Sequence, residues 1–187
     1  MSLVRSFVAV DIENFDVVRR IEAIQRELLR LGLEIKLVER ENLHITLRFL
    51  GEIPQSRIND VVKAIAGIKM SRFQIKLRGI GVFPDLARPR VLWIGVSDGV
   101  EELKRLAAAV REAVDRFAES EEDREFVAHL TVGRIKSSRN VEKLQEFVTR
   151  YADVDFGVIV VDKIKLKKSV LTPRGPIYTD LFVQPLT

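Results

Sequence analysis

His44-Ile45-Thr46-Leu47 and His129-Leu130-Thr131-Val132 are one pattern written twice: a histidine and a threonine separated by one aliphatic residue and followed by another. They stand 85 residues apart in a chain of 187 residues that contains two histidines and six threonines. In an extended strand, residues i and i+2 share a face. His44 and Thr46 should therefore point one way while Ile45 and Leu47 enter a core, and His129 and Thr131 should do the same.

The same offset aligns more than the two motifs. It places the strand at Phe7 on the strand at Leu92, the helix from Asn14 on the helix from Gly99, and the helix from Ser56 on the helix from Val141. The chain reads as a duplicated unit of strand, helix, histidine strand, helix and strand. Either unit alone is too short to cover its sheet, so the two should pack together as a single bilobal domain over residues 1-187, with repeats of approximately 1-85 and 86-187.

Helical periodicity is clearest at Val100, Leu103, Ala107, Val110, Val114 and Phe117, with Asp98 and Glu101 as a capping box. Three further helices are read around Val18 to Leu31, Ile58 to Ile68 and Val141 to Phe147, with Asn14, Ser56 and Asn140 as N-caps. Alternating or β-branched stretches at Leu3 to Val10, Leu43 to Phe49, Phe73 to Leu77, Val91 to Val96, Val127 to Val132, Phe156 to Leu166 and Ile177 to Val183 predict strands.

Composition narrows the function. The chain is 47% hydrophobic and 31% charged, a globular balance. It has no cysteine, which excludes disulfides, iron–sulfur ligation and a thiol nucleophile, and makes a cytoplasmic location the expectation. No apolar run approaches the roughly 20 residues of a membrane span, so no membrane partner is expected. A formal charge of +4 is compatible with a polyanionic partner and equally with many other proteins.

Two imidazoles facing each other, each beside a hydroxyl, can serve phosphodiester cleavage: one group deprotonates the nucleophile, another protonates the leaving oxygen, and hydroxyls hold the non-bridging oxygens. The alternatives are two buried core histidines, or a zinc or iron site completed by a carboxylate. A metal is not expected, because neither motif has an H-x-x-x-H or H-x-H spacing and no third His or Cys exists. Serine-nucleophile, Walker and dinucleotide-binding motifs are absent from the sequence.

The paired H-x-T-x motifs resemble those of the two-histidine phosphoesterase superfamily, in particular the RNA 2′,3′-cyclic phosphodiesterase or 2′-5′ RNA ligase family. Arg5-Ser6-Phe7-Val8-Ala9-Val10 is similar to that family's opening strand, and His44 to Gly51 to its first motif block. Arg78 to Pro84, Pro89 to Trp93, His129 to Arg134 and Pro173 to Tyr178 extend the resemblance nearly end to end.

The resemblance implies an α+β, bilobal fold: two pseudo-symmetric antiparallel β-sheets with outer helices around a central groove carrying both motifs, the termini free to share one lobe. It implies hydrolysis of an RNA terminal 2′,3′-cyclic phosphate to a 2′-phosphate without metal or cofactor, and reversible 2′-5′ ligation when a 5′-hydroxyl replaces water. His44 would be the acid, His129 the base, and Thr46 and Thr131 the holders of non-bridging oxygens. Arg134 and Phe49, each five residues beyond a histidine, match positions for a phosphate contact and a base contact. By strict alternation, however, Phe49 falls on the face opposite His44. The implied partner is RNA with a cyclic phosphate end, tRNA fragments included, acted on by a monomer. A non-catalytic RNA-end binding module and a small cyclic nucleotide as substrate are the alternatives. Lys163, Lys165 and Lys167 share a strand face that would either track RNA phosphates or protect a sheet edge. Arg88, Arg90 and Arg174 sit in proline-containing loops open to phosphate contact.

Overall fold

The computed structural model describes residues 2–119 and 125–187. Its elements run β1 (Leu3–Asp11), α1 (Phe15–Leu29), β2 (Ile35–Leu37), β3 (His44–Pro54), α2 (Ile58–Ala66), β4 (Phe73–Phe83), β5 (Val91–Val96), α3 (Val100–Val114), β6 (His129–Ile135), α4 (Val141–Arg150), β7 (Asp155–Val161), β8 (Lys163–Thr172) and β9 (Gly175–Pro185). The strands form two antiparallel sheets, ordered β3-β1-β8-β9 and β2-β6-β5-β4-β7. The fold is α+β.

The two sheets share part of their strand order. The run β3-β1-β8 in the first sheet has its counterpart in β6-β5-β4 of the second. Each sheet thus draws strands from both halves of the sequence, and both chain ends lie in the first. Helices α2 and α3 pack together, α3 against β3 and α2 against β9, while α1 and α4 pack on β7 and β4 of the second sheet. Ile45, Leu47, Leu130 and Val132 are all buried, as the alternation of the histidine strands requires, and α3 adds Leu103, Leu106 and Val110 to the same core.

Local chemistry differs from expectation at several places. Asn14 does cap α1, its Oδ1 accepting from the Val17 amide at 3.1 Å. Ser56 caps nothing: it lies in a 3-10 turn, Gln55–Arg57, that runs directly into α2. The Asp98–Glu101 capping box does not form, because Gly99 holds the cap position at φ 80. Asn140 turns its amide back to donate to the carbonyls of Leu31 and Gly32, tying the start of α4 to the end of α1. Phe117 lies beyond α3 in a further 3-10 turn. The stretch expected as one strand from Phe156 to Leu166 breaks at Asp162 into β7 and β8, which belong to different sheets. The three-residue β2 is additional to the expected strands, being too short to carry a periodicity in the sequence.

Both readings of the lysine face are overturned. β8 lies between β1 and β9, so it is not an edge. Lys165 and Lys167 are 9% and 4% exposed, too deep to track RNA, and bind carboxylates instead. Lys167 Nζ lies 2.8 Å from Asp11 Oδ2 and 3.0 Å from Asp180 Oδ1, and Lys165 Nζ lies 2.9 Å and 2.8 Å from the same two side chains.

Candidate active site

The two histidine strands belong to different sheets and contact one another, which brings both motifs to the wall of one cavity of about 610 Å³. His44, Thr46, Phe49, His129, Thr131 and Arg134 all line it.

Each strand uses the same local device to put three side chains on that wall. Opposite β1, Thr46 pairs with Ala9 and Arg48 with Val8, leaving Leu47 as an extra residue. Opposite β5, Thr131 pairs with Trp93 and Gly133 with Leu92, leaving Val132 as the extra residue. A bulge resets the alternation of side chains. Two consecutive residues, Leu47-Arg48 and Val132-Gly133, therefore face inward, and Phe49 and Arg134 return to the face of their histidines. The parity argument against Phe49 fails at this bulge.

The imidazoles are oriented alike. His44 Nδ1 lies 2.7 Å from the carbonyl of Asn42, and His129 Nδ1 lies 2.7 Å from the carbonyl of Val127, each two residues back. A carbonyl only accepts, so Nδ1 carries the proton in both rings and Nε2 is left to exchange protons with a ligand. Aromatic rings fix the planes further: Phe7 and Tyr178 pack on His44 with centroids at 5.0 and 5.3 Å, and Phe83 meets His129 edge-on at 5.1 Å. Burial holds His44 below the ordinary imidazole value. The Asn42 carbonyl and the Asp11 carboxylate oppose that shift, and Lys167 and Arg134 add to it. Burial likewise pushes the Tyr178 phenol up.

A description of the LigT-like phosphoesterases matches this chain twice, over residues 12–93 and 94–178. The chain belongs to the LigT-like phosphoesterase family. It is 40% identical to the RNA 2′,3′-cyclic phosphodiesterase of Aeropyrum pernix, over 89% of this chain and 94% of that protein. It is 41% identical to the protein of the same name from Aquifex aeolicus, over 96% of this chain and 95% of the relative. Its fold is also that of Escherichia coli LigT in apo form, with a TM-score of 0.81 and 23% identity over 100% of this chain and 99% of the other.

The LigT-like cavity contains more than the motifs announce. Arg5 lies over the Phe49 ring, 4.7 Å from its centroid, and Lys36, Asn42, Lys136 and Tyr178 join the wall. Arg174 lines the cavity, whereas Arg88 and Arg90 do not. Arg5 and Tyr178 fall within stretches that carry the family resemblance, and no local spacing marks them as cavity residues. Lys36 sits on the additional β2, beside Arg134 in register. Among the described residues no three His, Asp or Glu side chains converge as metal ligands, and no helix is long and apolar enough to cross a membrane.

Proposed function

We propose that this LigT-like phosphoesterase opens the 2′,3′-cyclic phosphate at an RNA end to a 2′-phosphate, using His44 and His129 as an acid–base pair and no metal. The observation that carries the reading is the matched pair of imidazoles, each pinned through Nδ1 to a carbonyl and both lining one cavity.

Water attacks phosphorus in line with the 3′ oxygen. Nε2 of His129 takes a proton from the water as the new P–O bond forms. Protonated His44 gives its proton to the 3′ oxygen as the P–O3′ bond breaks, leaving a 2′-phosphate and a 3′-hydroxyl. Proton exchange with solvent resets the pair. Thr46 and Thr131 donate to the non-bridging oxygens, and Arg134 adds a planar cationic fork to the same group. The lowered proton affinity of His44 makes its imidazolium the stronger acid, and the arriving phosphate anion favours the charged form. Phe49, backed by Arg5, offers an aromatic face for the terminal base. A 5′-hydroxyl entering in place of water, in line with the same 3′ oxygen, would form a 2′-5′ phosphodiester and so give ligation, and the reverse of that step would cleave the 2′-5′ bond. The working protein in this reading is a cytoplasmic monomer acting on cleaved RNA, tRNA fragments included.

The test is a short RNA ending in a 2′,3′-cyclic phosphate, incubated with the protein and excess chelator, with 2′- and 3′-phosphate products resolved. A 2′-phosphate is expected, with a loss of about 10²-fold or more in His44→Ala and His129→Ala. Turnover lost in chelator and restored by zinc would overturn the metal-free mechanism, and tight binding of that RNA without turnover would make the protein an RNA-end binding module.

A further inference from the structure

A cyclic phosphodiester carries one negative charge, yet the described residues lining the cavity include Arg5, Lys36, Arg134, Lys136 and Arg174 against a single carboxylate, Glu39. Arg5 is engaged over Phe49. Among the described residues none of Lys36, Arg134, Lys136 and Arg174 has a carboxylate within ion-pair distance, Lys36 acting on Glu39 only at longer range, in contrast to Lys165 and Lys167, which are fully paired. Cations left unpaired along a cavity wall favour an anion there, and more charge is present than the reacting phosphate needs.

These cations are also spread out. Along β6 and one residue past its end, the five steps from Thr131 to Lys136 cover at most roughly 16 Å at ordinary strand rise. A phosphate held by the histidines and Thr131 is within range of Arg134 and out of range of Lys136. Lys36 stands opposite Arg134 on β2, and the Lys136 amide continues that ladder by donating to the Glu34 carbonyl at 2.7 Å. From the other sheet, the turn between β8 and β9 closes over this end of the cavity: a Cβ on Gly175 would lie 3.7 Å from Lys36 Cε. Arg174 occupies that turn, which Thr172 Oγ1 braces by donating to the Gly175 carbonyl and accepting from the Arg174 amide.

We propose that Lys36, Lys136 and Arg174 form a second phosphate subsite, which takes the phosphodiester linking the terminal nucleotide to its 5′ neighbour. The inference rests on the cyclic phosphodiesterase reading and names its substrate class: oligonucleotide ends are preferred to free nucleoside 2′,3′-cyclic phosphates. Both walls of the cavity contribute, so the subsite exists only where the β8–β9 turn meets β2.

Three substrates test it: a nucleoside 2′,3′-cyclic phosphate, a dinucleotide with the same cyclic end, and that dinucleotide with an uncharged methylphosphonate internal linkage. The charged dinucleotide should exceed both others by about tenfold or more in kcat/KM, the scale of one charge-assisted contact. In a Lys36→Gln/Lys136→Gln variant the ratio of charged to methylphosphonate dinucleotide should fall toward one. Equal turnover of the two dinucleotides by the unaltered protein would overturn the subsite while leaving the cyclic phosphodiesterase reading standing. Hydrolysis of none of the three would overturn both.

Discussion

Asp11 and His44 are register partners across β1 and β3, and the Asp11 carboxylate is gripped from β8 by Lys167 Nζ at 2.8 Å. The buried lysines and Asp180 thus place a compensated charge cluster beside one of the two imidazoles. Asp11 favours the protonated ring, while Lys167 and, from β6, Arg134 oppose it; Tyr178 and Phe7 pack on the ring and contribute its burial.

With His44 as the acid, activity falls as pH rises through its value, so it sets the alkaline limb of kcat/KM. Asp11→Asn should move that limb to lower pH and Lys167→Met should move it to higher pH. Each single change leaves a buried charge uncompensated and should lower the melting temperature, whereas the double variant should regain stability. A pH–rate series on all three checks this. Limbs that move in the same direction, or do not move, would show the cluster to be structural only.

Arg134 reaches the cavity only because Val132 is a bulge residue. Arg134→Ala should cost about 10-fold to 100-fold in kcat/KM, the loss of one charged hydrogen-bonding partner. Arg134→Lys should recover part of it, since a point charge replaces the fork but not its two parallel donors. Steady-state kinetics on a cyclic-phosphate RNA distinguishes the three proteins.

These bulges mark the boundary of what the sequence discloses. The i, i+2 alternation of His44 with Thr46 and of His129 with Thr131 is a local property and is legible directly. That Phe49 and Arg134 return to the same face is not, because a bulge is defined by the strand opposite, here β1 and β5. Alternation likewise put Lys163, Lys165 and Lys167 on one face but could not say what that face meets, since Asp11 and Asp180 arrive from strands remote in sequence or across a hairpin. The 85-residue offset between the two histidine strands was readable directly. The sheet to which β4 and β8 each belong was not, because the two strands look alike from within their own segments.

His44 also couples folding to pH. Its folded-state value is lowered by burial, so as pH falls below about 6.5 the unfolded chain takes up the proton first. Stability drawn from this site is complete above that pH, declines as pH drops toward the folded-state value, and is constant below it. Urea midpoints measured from pH 8 to pH 5 should fall more steeply for the unaltered protein than for His44→Gln, the difference isolating this residue. Bound phosphate should reduce the slope by favouring the charged ring.

Gly81 provides a last, steric test of how the second sheet supports Thr131. It is paired with Trp93 across β4 and β5, and a Cβ at Gly81 would overlap the indole ring. Trp93 in turn is the register partner of Thr131, and its ring packs on Phe83, which meets His129. Gly81→Ala must therefore displace a rigid ring that backs the motif, at an overpacking cost of about 1–3 kcal/mol. Thermal melting should drop by several degrees, and kcat should fall although no cavity residue has changed. Trp93→Phe shortens the ring. It sacrifices little hydrogen bonding, because the indole Nε1 is buried without a partner among the described residues. The Gly81→Ala/Trp93→Phe double variant should thus recover both melting temperature and kcat relative to Gly81→Ala alone. Recovery of stability without recovery of kcat would instead assign the indole itself a part in holding Thr131.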